Sequence, residues 1–240
     1  MKKLLIIAVA ALMATFCAYA QGGSVKPYFS AEELPNGILW LPSPPDSTST
    51  QFVYDITQYV WGKSIRDTER GQQAIAHGAI QVADMAALFS EPFGLFISEK
   101  TTPAIFRLLN RAIPTFRLSV TEPKSVYMRK RPYVLFNEPT LIPADEEVLR
   151  DTGSYPSGHT IRGWGVALVL CEVNPSHQDA ILKLGYEWGQ SRVIAGYHWQ
   201  SDVDASRMMA AAVFARLHTN ADFLADMAAA CAEYRRLRGN

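Results

Sequence analysis

Cysteine is scarce in this chain, with 3 in 240 residues, at positions 17, 171 and 231. So few cannot staple a small fold by a disulfide framework. Excess charge is absent too: 23 Lys and Arg balance 23 Asp and Glu. Without a net positive field nothing draws in nucleic acid or an anionic membrane, so neither is an expected partner. Beyond the first twenty residues no apolar run is long enough to span a bilayer. Runs of alternating β-branched residues bounded by hairpin turns are missing, as is any internal repeat.

The first twenty residues, MKKLLIIAVAALMATFCAYA, read as a signal peptide. Lys2 and Lys3 open it, Leu4 to Met13 form its apolar middle, and Ala18-Tyr19-Ala20 supplies the small-x-small cleavage pattern. Bulky Phe16 before Cys17 argues against a lipid anchor there. Export to the periplasm is therefore expected. Without Lys2 and Lys3, 21 Lys and Arg face 23 acidic residues, a formal charge of −2 for residues 21–240. That length suits one core, so 21–240 is expected to be a single catalytic domain. An oxidising compartment would permit Cys171 and Cys231 to pair if their Cα atoms came within reach. Nothing in the sequence excludes a homo-oligomer.

The stretch through PNGILWLPSPPDSTST is rich in Pro, Ser and Thr, and residues 21–50 are expected to run extended over the surface. Helical periodicity follows. Ile75, Ala79, Val82, Ala86 and Phe89 fall on one face of an expected helix. TPAIFRLLNRAI has Pro103 in a first turn and Pro114 just past its expected end, and KSVYMRKR should stop at Pro132. Further helices are expected at about 159–173, 176–193, 199–217 and 221–237. The fold class is all-α, a single-domain helical bundle.

Three clusters carry chemistry. In SRVIAGYHWQSD, His198 and Asp202 stand four apart, so on a helix they share a face. Asp202 can then accept from one ring N–H and leave the other nitrogen free as a nucleophile. In KSVYMRKRP, Lys124 and Arg131 are seven apart, two helical turns, and would share a face suited to the oxygens of a phosphoryl group. In PSGH, Gly158 admits an oxyanion to the backbone of a helix N-terminus, Ser157 offers a hydroxyl, and His159 can protonate a leaving alcohol. Taken singly, each has an ordinary explanation: a surface His–Asp pair, a solvated basic face, a helix with a serine cap.

Together, in this order and spacing, the clusters resemble the signature of the bacterial class A non-specific acid phosphatases. These belong to the phosphatidic acid phosphatase type 2 superfamily, which shares its site with vanadium haloperoxidases. GSYPSGHT and GQSRVIAGYHWQSDVDA carry the closest likeness, which extends from about Ile38 to Leu224. The resemblance implies an all-helical acid phosphatase that needs no metal or cofactor, acts on small phosphate monoesters and is inhibited by vanadate. It implies His198 as the nucleophile that forms a phosphohistidine, Asp202 as its orienting partner, and His159 as general acid and then base. Lys124, Arg131 and Arg192, with Ser157 and the Gly158 amide, would cradle the phosphate. A phosphohistidine could also pass its phosphoryl group to an alcohol.

Other phosphatase chemistries fit less well. DVDAS, from Asp202, half matches the D-x-D motif of magnesium-dependent haloacid-dehalogenase-type enzymes but follows no apolar strand. Neither Cys171 nor Cys231 begins a C-x5-R motif, and His77-Gly78 follows alanine where histidine acid phosphatases have R-H-G. A vanadium haloperoxidase would oxidise halide with bound vanadate, and a mere phosphate-ester binder would need neither histidine. His77, His177 and His218 have no partners at ligand-like spacing. Trp164, Trp188 and Trp199 suit the core, although Trp199 beside His198 could wall the pocket.

Overall fold

The computed structural model describes residues 25–239. The signal peptide expected at 1–20 lies outside them. Among the described residues there is no strand, and the chain is an assembly of helices. They are α1 (Thr50–Ser64), α2 (Glu69–Ala76), α3 (Val82–Phe93), α4 (Pro103–Leu118), α5 (Thr121–Tyr127), α6 (Pro132–Phe136), α7 (Glu146–Leu149), α8 (Gly158–Val173), α9 (Gln178–Ile194), α10 (Gln200–Leu217) and α11 (Ala221–Arg238). The expected all-α class holds. No helix among the described residues is long and apolar enough to cross a membrane.

Helix α8 is the axis of the fold and packs against α9, α10, α4 and α11. It is buried on every side, through Thr160, Ile161, Val166, Val169, Leu170 and Val173 among others. A helix surrounded in this way needs no amphipathic stripe. Its glycines set the spacing. A Cβ on Gly163 would lie 2.5 Å from the Trp188 ring, and one on Gly165 would lie 2.5 Å from the Phe116 ring. The neighbouring aromatics therefore rest directly on the α8 backbone.

Several sequence expectations change. Part of the 21–50 segment is core: Tyr28, Phe29, Leu34 and Leu41 are buried. Tyr28 is tied down by its N–H to Thr115 Oγ1 (3.0 Å) and its hydroxyl to Asp226 (2.8 Å). Arg107 and Arg111 hold the same carboxylate from α4, at 3.0 Å each. The single helix face expected over 75–89 is broken between α2 and α3, because His77 turns inward, buried, and stacks on Trp188 at 5.0 Å. Helix α4 runs through Pro114 to Leu118, since the burial of Ile113, Thr115 and Phe116 holds the chain helical on both sides of it. Helix α5 ends at Met128, whose φ of 40° is left-handed, well before Pro132. Cys171 and Cys231 are free thiols.

Gly163→Leu should lower stability by about 3 kcal/mol, the upper end for overpacking a filled core. Thermal unfolding followed by circular dichroism reads this as a lower midpoint, and an unchanged midpoint would contradict the packing of α8 on Trp188.

Candidate active site

The site forms where five chain segments meet at the N-terminus of α8. After α9 the chain reverses through Gly196, with φ of 89°. The N–H groups of Tyr197 and His198 both donate to the carbonyl of Arg192, at 3.0 and 3.2 Å. This tight loop brings Arg192, from the last turn of α9, beside His198. Helix α10 begins two residues after His198, so the His198–Asp202 pair does not lie along a helix face as expected. Asp202, in the first turn, instead turns back. It accepts from the Trp199 N–H at 2.9 Å and reaches His198 Nδ1 at 3.3 Å. A carboxylate there also faces the positive end of the helix dipole.

A buried ion-pair relay fixes Asp202. Arg129 donates to Asp202 at 2.6 Å and to Asp55 at 2.7 Å. Asp55 in turn accepts from the Ser201 N–H and hydroxyl, at 2.8 and 2.6 Å. Arg129 lies in the run RKR, where only tertiary structure separates a buried relay from a solvated face. With Nδ1–H donated to Asp202, the Nε2 lone pair of His198 faces Arg131 Nη1 at 3.2 Å.

Lys124 and Arg131 converge from different elements rather than from one helix face, because Met128 ends α5 between them. Arg131 stands just before Pro132 and α6. Its guanidinium donates to the carbonyls of Leu149 (3.0 Å), Tyr197 (3.2 Å) and Gly153 (3.2 Å) and to Thr152 Oγ1 (2.9 Å). Lys124 Nζ donates to the carbonyls of Gly153 and Ser154, at 2.8 and 3.1 Å. Arg192 is fully buried and lies over the Tyr197 ring at 4.6 Å. Its Nε and Nη1 meet no hydrogen-bond partner among the described residues. Buried donors left open in this way are costly unless a ligand takes them.

On α8, Ser157 is the N-cap. Its Oγ accepts from the Thr160 N–H (3.3 Å) and the Thr160 hydroxyl (2.9 Å). Gly158 opens the helix, with a first-turn N–H that has no intrahelical partner. His159 Nε2 sits 3.2 Å from the carbonyl of Gly78, which leaves Nδ1 to take up or deliver a proton.

These residues surround a cavity of about 290 Å³, lined by Lys124, Arg131, Gly158, His159, Arg192 and His198. Asp202 stands behind His198 and Ser157 serves as the cap, so neither forms the lining. Arg117, Arg162, Asp145 and Thr152 line it as well, and none of the four has a sequence signal that assigns it. The same holds for Gly78. Trp199 packs instead on Phe52 and Phe136, with its Nε1–H on the Lys130 carbonyl at 2.8 Å. Asp204 points away toward Arg207 at 2.9 Å, so the D-x-D pair does not assemble. His177 and His218 bond the carbonyls of Pro92 and Phe214, far from the cavity in the fold. No cluster of three or more His, Cys, Asp or Glu suited to a metal occurs among the described residues.

The segment that contributes most of this lining, residues 105–224, matches the PAP2 superfamily. The chain belongs to the PAP2 superfamily. It is 43% identical to the non-specific acid phosphatase of Providencia stuartii, over 99% of this chain and 100% of that one. It is 42% identical to the non-specific acid phosphatase of Salmonella typhimurium, covering 84% of this chain and 81% of that one. The acid phosphatase of Zymomonas mobilis is 34% identical over 84% of this chain and 76% of its own.

The cations of this PAP2 site set its proton chemistry. Burial, then the charges of Arg131, Lys124 and Arg192, hold His198 well below the usual imidazole range. Burial, then Arg192 and Arg162, does the same to His159. Lys124 is also depressed, by burial and by Arg131, and burial pushes Arg192 down to about 10. Both histidine shifts favour the neutral imidazole. An anion in the cavity offsets the cations and must raise both histidines. In ligand-free protein at pH 6.5, the ordinary midpoint, NMR of labelled histidine should find His159 and His198 neutral. Saturation with inorganic phosphate should shift the His159 titration to higher pH. A His159 already titrating at the ordinary value without ligand would contradict this electrostatic account.

Proposed function

We propose that this chain, an acid phosphatase by family, hydrolyses phosphate monoesters without a metal, through a covalent phosphohistidine on His198. The observation that carries the proposal is the pair of buried guanidinium donors on Arg192 that no described protein atom satisfies, in the same cavity lining as His198, whose Nε2 is turned toward Arg131. That combination suits an anionic group undergoing nucleophilic attack, because the donors strengthen as charge develops on its oxygens.

In the first step Nε2 attacks phosphorus and the ester P–O bond breaks. The electron pair leaves with the alcohol oxygen, which takes its proton from protonated His159. Asp202, accepting from Nδ1–H, stabilises the positive ring of the phosphohistidine. In the second step water attacks phosphorus and gives its proton to His159, while the P–N pair returns to His198. Phosphate leaves. Lys124, Arg131 and Arg192, with the Gly158 N–H, hold the three oxygens that remain on phosphorus throughout, and Ser157 shapes the turn that presents that N–H. An alcohol in place of water would yield a transferred phosphoryl group.

Hydrolysis of p-nitrophenyl phosphate near pH 5–6 should survive excess EDTA and fall with vanadate, which occupies the same cradle. His198→Ala should fold but lose turnover and fail to retain acid-labile phosphate after quenching with labelled substrate. A folded His198→Ala protein with full activity would refute the nucleophile, and activity abolished by EDTA and restored by magnesium would refute the metal-free route.

A further inference from the structure

The cavity holds more positive charge than a single phosphoryl group needs. Arg117, Lys124, Arg131, Arg162 and Arg192 line it against one carboxylate, Asp145. None of these five pairs with a carboxylate among the described residues. A phosphoryl dianion neutralises part of this excess. The relay behind the wall, two carboxylates sharing Arg129, accounts for one charge more. Cationic charge remains beyond the three side chains assigned to the phosphoryl oxygens.

Arg117 and Arg162 carry it. Arg162 stands three residues after His159 on α8, so the two share a face. Its Nε donates to the Gly158 carbonyl at 2.9 Å, which holds the guanidinium at the cavity rim. Arg117 reaches in from the end of α4 and is exposed, with only a long contact of 3.5 Å to Thr121 Oγ1. A Cβ on Gly158 would lie 3.6 Å from Arg117 Nε and 3.7 Å from Lys124 Cε, so the cradle glycine opens directly onto Arg117. Burial and the nearby Arg117 charge lower Arg162 to about 10. Arg162 thus stands beside His159, the group that protonates the leaving alcohol in the reading above.

We propose that Arg117 and Arg162 form a second anion subsite, which binds a further phosphate carried by the leaving group and makes bisphosphorylated small molecules the preferred substrates. The inference rests on the phosphatase reading above. Two forked guanidinium groups held near one another without a carboxylate suit a phosphate dianion better than a neutral or cationic leaving group.

The test compares propane-1,3-diol bisphosphate with propyl phosphate, with kcat/KM expressed per phosphoryl group. The bisphosphate should be favoured by about tenfold, mainly in KM, the scale of one charge-assisted hydrogen-bonded contact. Arg117→Gln and Arg162→Gln should each reduce that ratio several-fold, and the ratio cancels any loss common to both substrates. Lys130→Gln removes an exposed charge outside the cavity lining and should leave it intact. A wild-type ratio near one, a ratio that survives both arginine substitutions, or an equal fall with Lys130→Gln would overturn the subsite while leaving the phosphatase reading standing. Hydrolysis of neither compound would overturn both.

Discussion

The structure depends on holding cations close together without neutralising them. Lys124, Arg131 and Arg162 are fixed by main-chain carbonyls: Gly153 and Ser154 for Lys124, Leu149, Tyr197 and Gly153 for Arg131, Gly158 for Arg162. A carbonyl orients a guanidinium or ammonium group through its dipole but leaves the full charge in place. Repulsion between such charges is strong away from bulk water, so the surrounding helices must supply the restraint. Arg129 shows the alternative. Clamped between Asp55 and Asp202, its charge is spent on orientation and none is left for a ligand.

The restraint comes from behind the cavity. Arg192 leaves α9 one residue after Ser191, whose Oγ is held by Arg70 (2.9 Å) and His77 (2.8 Å). Burial first, then the Arg70 charge, pushes His77 down to about 4, so this buried ring adds no further cation. The next residue, Gly78, gives its carbonyl to His159, and a Cβ there would meet Ile142 at 2.7 Å and the Ile75 carbonyl at 2.9 Å. The break between α2 and α3 is thus a brace that steadies Arg192 and His159 together. Because these cations are held close together by structure, a bound anion relieves their repulsion and must stabilise the folded state through mass action.

What the sequence made legible, and what it did not, follows from where each residue sits. Lys124, Arg131, Gly158, His159, Arg192 and His198 lie at helix ends and loop junctions marked by Pro132, Pro156 and Gly196, so their spacing along the chain survives as a readable pattern. Their relative placement does not survive. Periodicity set Lys124 and Arg131 on one helix and His198 and Asp202 on another, whereas a left-handed Met128 and a carboxylate turned back at an N-terminus bring them together. Gly78 and His159 are 81 residues apart, and nothing local announces their contact. Nothing local marks Arg117 and Arg162, which line one cavity because α4 packs on α8. The buried Tyr28 was hidden in the same way, since its partner Asp226 lies 198 residues on.

In the proposed mechanism one charge distribution serves two histidines with opposite tasks. Neutrality suits His198 as the proposed nucleophile, and burial with the neighbouring cations favours it. For His159, burial with Arg192 and Arg162 works against the proposed role, since an acid must carry a proton. The substrate supplies the correction. A phosphoryl dianion beside Arg192 offsets part of the field that, with burial, lowered His159, so the acid more readily holds its proton as the leaving group arrives beside it. His198 is protected from protonation in that complex by its commitment at both nitrogens, Nδ1–H to Asp202 and Nε2 toward phosphorus. Coupling proton uptake to substrate charge favours turnover on the acid side of neutrality, because the proton that His159 needs is more readily drawn from solution there.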